Sequence, residues 1–306
     1  MSHPMNDLAL AVDIGGTKLE AALVTPDGRL VEGSRHRAPT GRERSGENLD
    51  ASVADVVRAA LAAVPDGARV VGAGVGSAGP VSLPGAISPL NLPQWREHPI
   101  GERVAALSGL PTTVRLDGQC FALAEAWSGS LAGSQNAIAI VVSTGVGSGL
   151  IVDGHLLSGR TGNAGHLGQM LLRDVAEGED PADASVERIC SGTGTVAWAR
   201  SQGWAGTSGE ELVADAQSGG EIARRALRRS THGLAQALVS VAALVDIEAV
   251  SLAGGFALGY AGYVDDVAAA LERFSVLPHT ATLSVHRSSL GTDAPLIGAG
   301  GLVFRV

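Results

Sequence analysis

Asp13-Ile14-Gly15-Gly16-Thr17-Lys18 gathers a carboxylate, two glycines, a hydroxyl and an amine within six residues. Paired glycines let a phosphate approach the backbone closely, with N–H groups turned toward it. A carboxylate at a strand end can hold Mg²⁺, directly or through water. Lys18 is the only lysine; the rest of the 22 Lys and Arg residues are arginines. This is not the Walker-type loop, which has more residues between its glycines and a helix after it. Taken alone, the hexapeptide serves equally as an ordinary tight turn.

A second glycine loop, Ser143-Thr144-Gly145-Val146-Gly147-Ser148-Gly149, lies roughly 130 residues on. A third piece, Val250 to Phe256, ends in the pair Gly254-Gly255. A lone glycine loop is a weak signal, but three in this order are hard to explain without a nucleotide. Asp117, at the end of an apolar run and before a helical one, could take a proton from an attacking hydroxyl. By itself the position suits a helix N-cap better. His166 and Gln169, three apart in a glycine-rich loop, could line a pocket or lie hydrated on the surface. Glu187 opens a helix, where a carboxylate also favours the dipole.

The elements that must position these residues follow from periodicity and punctuation. Leu8–Val12 and Leu19–Val24 flank the first loop and predict a β-hairpin. Ala137–Val142 and Leu150–Val152 flank the second in the same grammar, which suggests two related halves. Strands are predicted at 70–75, 112–116, 249–253 and 281–286. Helices are predicted at 48–64, 100–108, 120–131, 185–202, 209–218, 221–245, 264–274 and 293–303. Polar 173–183 is predicted to be a mobile insert. The fold class is α/β. Residues 1–117 are expected to form a smaller lobe, with 291–306 packing back on it, and 118–290 a larger one.

Composition excludes several classes. A net charge of −9 argues against a nucleic-acid scaffold. Arg224-Arg225 and Arg228-Arg229 form the one basic cluster and read as a solvated face or a subunit contact. No apolar run approaches the ~18 residues of a membrane span. The start, Met1 to Asp7, lacks the basic-then-apolar pattern of a leader, so a cytoplasmic location is expected. Cys120 and Cys190 are expected to be buried free thiols. No His or Cys pair has metal-ligand spacing, so no structural zinc is expected.

These motifs together resemble the ROK family of bacterial sugar kinases and repressors, within the sugar kinase/actin-like superfamily. The resemblance runs from about Leu8 to Val303. It takes in the first loop, Gly79-Pro80, Asn91 to Trp95, Leu116 to Cys120, the second loop, Gly162 to Gln169, Glu187 with Ser191-Gly192, and Ala253 to Phe256. It implies a two-lobed ribonuclease H-like fold with ATP and Mg²⁺ in the cleft. Asp13, Gly15, Gly16, Thr17, Lys18, Thr144, Gly145 and Gly147 would face the phosphates, and Gly254 and Gly255 the adenosine. Asp13 would hold the Mg²⁺. Asp117 would be the general base. Gly79, Asn91, Asp117, His166, Gln169 and Glu187 would line the sugar site. A homodimer is expected as well.

Three departures stand out. Leu116 replaces an asparagine before the base. His166 and Gln169 replace a glutamate and a histidine. The zinc-binding cysteines give way to 173–183. Rewriting groups that pair with a particular hydroxyl changes the substrate. The expected acceptor is therefore an atypical hexose, an amino sugar such as kanosamine or an N-acetylhexosamine, with glucose still open. Only seven residues precede the first strand, so a kinase is expected in preference to a DNA-binding repressor. The alternative is an inactive or regulatory sugar-binding member of the family.

Overall fold

The computed structural model describes residues 4–82 and 85–306. Residues 1–3, part of the start read above for a leader, lie outside it. In chain order the elements are β1 (Asp7–Ile14), β2 (Lys18–Val24), β3 (His36–Pro39), α1 (Gly46–Ala62), β4 (Arg69–Ser77), β5 (Val81–Ser82), β6 (Ala86–Ile87), α2 (Ile100–Ser108), β7 (Thr112–Leu116) and α3 (Asp117–Ser128). The second half holds β8 (Ala137–Val142), β9 (Val146–Val152), β10 (His155–Leu156), α4 (Val186–Cys190), α5 (Gly192–Ser201), α6 (Gly209–Gln217), α7 (Glu221–Val245), β11 (Ala249–Ala253), α8 (Gly255–Gly259), α9 (Tyr263–Phe274), β12 (Ser284–Arg287) and α10 (Ala294–Phe304).

Two five-stranded sheets share one plan. The first is ordered β3-β2-β1-β4-β7 and the second β10-β9-β8-β11-β12. In each, the three strands on one side are antiparallel, and the remaining two join the first strand in parallel. The related halves expected from the two glycine hairpins are therefore present as a repeated topology. The strands next to the parallel pairings are apolar at nearly every position, as a sheet covered on both faces requires.

The halves meet through helices. α10 packs on β1 and β4 of the first sheet and on α3, while α3 packs on β8 and β9 of the second. The crossing is close because small residues line it. A Cβ at Gly298 would lie 1.7 Å from the Cys120 carbonyl oxygen, and one at Gly74 would lie 1.8 Å from that of Ala299. Ala9, Ala11, Cys120, Leu123, Leu296 and Ala299 form one buried cluster at this junction. The closing helix thus packs both on the first sheet and on α3.

Several expected boundaries shift. The helix expected over 185–202 is broken at Ser191, whose Oγ accepts from Gly194 N at 3.1 Å and starts a new helix. The helix after β7 begins three residues earlier than expected, which makes Asp117 its first residue and Leu116 its N-cap. The last strand of the second sheet begins at Ser284, because a 3-10 turn occupies Pro278–Ala281. Residues 173–183 are not a loose insert. Arg173 pairs with Glu179, and Asp180 caps the 3-10 turn Pro181–Ala184 by accepting from Ala182 N at 2.9 Å. Among the described residues no helix is long and apolar enough to cross a membrane.

Candidate active site

The first turn joins β1 to β2. Gly15 N donates to Lys18 O at 2.9 Å, and the turn is fastened to β3 by Thr40, whose Oγ1 donates to Gly15 O and whose N donates to Thr17 O. A Cβ at Gly16 would lie 2.5 Å from Asn91 Nδ2, so a larger residue there would push the Asn91 side chain aside. That contact brings the 88–98 loop onto the first turn. Asn91 Oδ1 is buried there with no hydrogen-bond partner, an acceptor left for a ligand hydroxyl or amide.

Asp13 closes β1 directly across the ladder from Glu20. The Glu20 side chain is 2 % exposed and takes Lys18 Nζ at 2.6 Å, Arg37 Nε at 2.7 Å and Arg35 Nε at 3.1 Å. Lys18 is thus turned along the strand into an ion pair, and its backbone, more than its ammonium, shapes the turn. Thr17 is exposed at the tip. The Asp13 carboxylate accepts no hydrogen bond from the described residues. Its pKa is pushed up to about 7, first by burial and then by repulsion from Asp117 and Glu20, against the pull of Lys18 and Arg35. An under-neutralised pair of hard oxygen donors suits Mg²⁺. Among the described residues no group of three His, Cys, Asp or Glu side chains could hold a metal by itself. Asp13 would therefore share the ion with phosphate oxygens and water.

The second turn joins β8 to β9. Ser143 N donates to Gly145 O at 2.9 Å. Glu187, on α4, reaches under the turn and accepts from Val146 N at 2.9 Å. A Cβ at Gly145 would lie 2.6 Å from that carboxylate. Glu187 is therefore tied to the second glycine turn through at least one oxygen. Thr193 Oγ1 donates to Thr144 O at 2.6 Å, binding the start of α5 to the same turn. Gly254, at φ +103°, sits against β8, where a Cβ would meet the Val142 carbonyl at 2.2 Å. Gly255 opens into a cavity of about 630 Å³ with Ser143, Thr144, Gly192, Thr193 and Phe256. The cavity is of a size to take a nucleoside.

Asp117 lies between the two turns. Its Oδ1 accepts from Gly118 N at 2.7 Å and faces Gly147, where a Cβ would stand 3.9 Å away. Gly118 has no room for a side chain, because a Cβ would sit 2.4 Å from Ser148 N. The first turn of α3 is thereby pressed onto β9, and Asp117 is aimed at the second turn. Water can reach Asp117, yet the surrounding protein thins its hydration, and this raises its pKa. The Gly118 N–H and the nearby His166 pull the other way. The His166 ring stands 3.2 Å from where a Gly79 Cβ would be. Gln169 ends the 3-10 turn Leu167–Gln169 that follows His166, exposed and without a side-chain hydrogen bond among the described residues. Leu116 is 2 % exposed and packs against Gly79 in the first lobe's core.

The structure thus brings Asp13, Asp117, Gly147, His166 and Gly79 near one another, and joins Asn91 to Gly16 and Glu187 to Gly145. Two participants were not singled out in the sequence. Cys120 Sγ lies 3.1 Å and Asp13 Oδ1 3.5 Å from where a Gly76 Cβ would be, so Gly76 makes room for both. Burial and the two carboxylates raise the Cys120 thiol well above its usual value and keep it protonated. Asn163 binds both polar backbone atoms of Val81, 82 residues away in the chain. Its place in the quoted Gly162–Gln169 motif was the available signal. Cys190 is likewise buried and pushed up to about 12 by lost hydration.

The sequence model of the ROK family matches residues 9–306. N-acetylmannosamine kinase of Yersinia pseudotuberculosis is 32 % identical over 299 residues, spanning 95 % of this chain and 96 % of that one. Among solved structures, a ROK hexokinase from Thermus thermophilus superposes with a TM-score of 0.83 at 28 % identity, covering 96 % of each chain. A ROK family glucokinase from Streptomyces griseus, solved with glucose and AMPPNP, superposes with a TM-score of 0.75 at 26 % identity, covering 96 % of this chain and 98 % of that one.

Proposed function

The chain belongs to the ROK family, with the fold of its sugar kinases, and from that premise we propose an ATP-dependent kinase that phosphorylates a hexose or amino-hexose at its 6-hydroxyl. One observation carries the reading. Asp117 is held between two glycine turns on a helix whose start cannot shift, because Gly118 is locked against Ser148. The turn N–H groups around Gly15, Gly16, Thr144, Gly145 and Gly147 cradle the phosphates. The cavity at Gly255 and Phe256 takes the nucleoside, with Gly254 seated against β8 behind it. Asp117 accepts the proton of the attacking hydroxyl, and lost hydration raises its pKa above the ordinary carboxylate value, in the direction that suits a base. Asp13 holds Mg²⁺, which supplies charge neutralisation on the phosphates when bound. The rest of the catalysis is positioning.

The sugar is read by Asn91, His166, Gly79, Glu187 and Gln169. The unpartnered Asn91 Oδ1 suits a hydroxyl or acetamido N–H. The reading of an amino sugar or N-acetylhexosamine as acceptor rests on the N-acetylmannosamine kinase the chain resembles. A homodimer belongs to this reading: Leu244, 87 % exposed, lies in an apolar groove with Met170, Val241 and Val245. The deciding assay is ADP release with glucose, kanosamine, N-acetylmannosamine and N-acetylglucosamine, with the phosphorylated position read by NMR. Sugar binding without any sugar-dependent ADP release would favour the regulatory alternative.

A further inference from the structure

The four arginines near the start of α7 do not form a single solvated face. Arg225 and Arg229 lie over the Trp198 ring, at 5.7 and 5.6 Å from its centroid, and Arg229 also donates to Ile189 O at 2.9 Å. Arg224 and Arg228, one turn apart on another face, line a separate cavity of about 540 Å³ between α6, α7 and α9. Arg273 and His232 join them in its wall. Three guanidiniums converge there in a chain of net charge −9. Among the described residues none of the three forms an ion pair with a carboxylate. Arg224 uses Nε on Ala216 O, Arg273 lies over the Phe274 ring, and the forks are otherwise open. Like charges four apart on a helix are unfavourable unless something binds between them. The proton affinity of His232 is lowered by lost hydration and then by Arg273 and Arg228, so the field of these side chains reaches into the wall.

The rest of the lining is different in kind. Leu227, Ala269, Ala270 and Thr231 make a largely apolar floor, and Tyr260 shares the wall with Asp266, the cavity's one carboxylate; lost hydration and then the Asp266 charge raise the phenol's pKa. Guanidinium forks recognise phosphoryl oxygens, while a carboxylate and a phenol beside an apolar surface recognise a hydroxylated carbon skeleton. We propose that this cavity is a second ligand site, separate from the cleft, that takes a phosphoryl group carried on a small hydroxylated molecule such as a phosphosugar. It communicates with the nucleotide cavity. Ser208, Gly209, Glu210 and Val213 of the α6 region line that cavity, Ala216 lines the basic one, and Gln217 lines both. A ligand that holds the end of α6 therefore acts on the wall of the nucleoside pocket. This goes beyond the proposed kinase reaction, which needs only the cleft.

The test is calorimetric titration of the full chain saturated with AMPPNP and Mg²⁺, so that the nucleotide part of the cleft is filled. Hexose 6-phosphate, inorganic phosphate, pyrophosphate and sulfate are titrated in turn. Saturable binding of one phosphoryl ligand per chain is expected, weakened at least tenfold in the Arg228→Ala/Arg273→Ala double variant. Thermal melting of that variant and of Arg228→Lys checks folding. Tighter binding of hexose 6-phosphate than of inorganic phosphate identifies the carried group, and equal binding identifies free phosphate as the source. Binding that disappears once AMPPNP is present, or that is equal in wild type and double variant, overturns the site. The same comparison of wild type with variant without AMPPNP keeps this outcome separate from any failure of the kinase reading.

Discussion

Asn163 holds Val81 by both of its backbone polar groups: Val81 N donates to Asn163 Oδ1 at 2.9 Å, and Asn163 Nδ2 donates to Val81 O at 2.7 Å. One side chain from the 162–169 loop thus completes the ladder of the short β5–β6 hairpin. Asn163→Ala leaves both groups of a largely buried residue unpaired. The expected cost is about 1–3 kcal/mol, which for a chain of this size lowers Tm by a few degrees. Because the bonds hold the 162–169 loop that carries His166, the apparent sugar affinity should fall as well. Differential scanning fluorimetry with and without sugar checks both, and an unchanged Tm would show that water replaces the clasp.

Asp117→Asn keeps the oxygen that accepts from Gly118 N, so the helix start should be preserved. What is lost is the basic lone pair. A positioned general base supplies roughly 10²–10⁴-fold, so kcat should fall by about 10²-fold or more while sugar Kd changes little. Rapid-quench turnover beside equilibrium titration separates the two. Turnover near that of wild type would remove Asp117 from the chemistry.

Glu20 gives a pH signature. Burial works to raise its pKa, but hydrogen bonds from Arg35, Lys18 and Arg37 outweigh that and hold it at about 2, below the ordinary 4.5. Between these values the unfolded chain binds the extra proton, so stability rises with pH there. The contribution of Glu20 is complete above about pH 4.5 and is lost as pH falls toward 2. Glu20→Gln should remove this dependence and cost roughly 2 kcal/mol at neutral pH, since its partners reach solvent. Urea unfolding at pH 7, 4 and 3 reads it out. An identical pH slope in the variant would assign the acid sensitivity elsewhere.

Local signals carried much of this fold. The strands 112–116, 137–142 and 249–253 and the helices 100–108 and 221–245 coincide with their expected bounds, because each is an apolar run or stripe closed by Gly, Asp or Ser. Ser191 was harder to see, since apolar residues continue at helical spacing through the break. β3 was missed because only two of its four residues are even half-buried. The site was legible as types and order, and not as partners. Nothing local says that Lys18 turns to Glu20, that Glu187 reaches Val146 across 41 residues, or that Arg35 meets Asp293 across 258. Such pairings are set by how the two sheets and α10 come together.

The metal prediction rests on the under-neutralised pair Asp13 and Asp117. Mg²⁺ with ADP should raise the Tm of the wild-type protein by linkage, and Asp13→Asn should abolish most of that increment. Zinc should be absent from the purified chain. Elemental analysis finding one zinc per chain after mild chelation, or an equal Mg²⁺ increment in Asp13→Asn, would count against the assignment.

The rewritten loop is tested at His166. Its ring stands beside Gly79 at the junction of the lobes and bears on Asp117 electrostatically. If it reads the acceptor, His166→Glu should shift preference toward ordinary hexoses and weaken the native sugar. The change should appear in ratios of kcat/KM between sugars and not in the KM for ATP. A second carboxylate near Asp117 should also raise the pKa seen in the acid limb of the pH–rate profile, because like charges disfavour ionisation. Leu116→Asn is a less clean companion than its sequence position suggests. Leu116 is buried against Gly79, so an amide there loses packing of about 2–5 kcal/mol unless it finds a partner in the cleft. If it reaches the cleft, the ranking of sugars changes while Tm falls little; if it only disrupts the core, Tm falls and the ranking stays. Equal effects of His166→Glu on every sugar would mean that His166 shapes the loop, and would move specificity to Asn91 and the 88–98 segment.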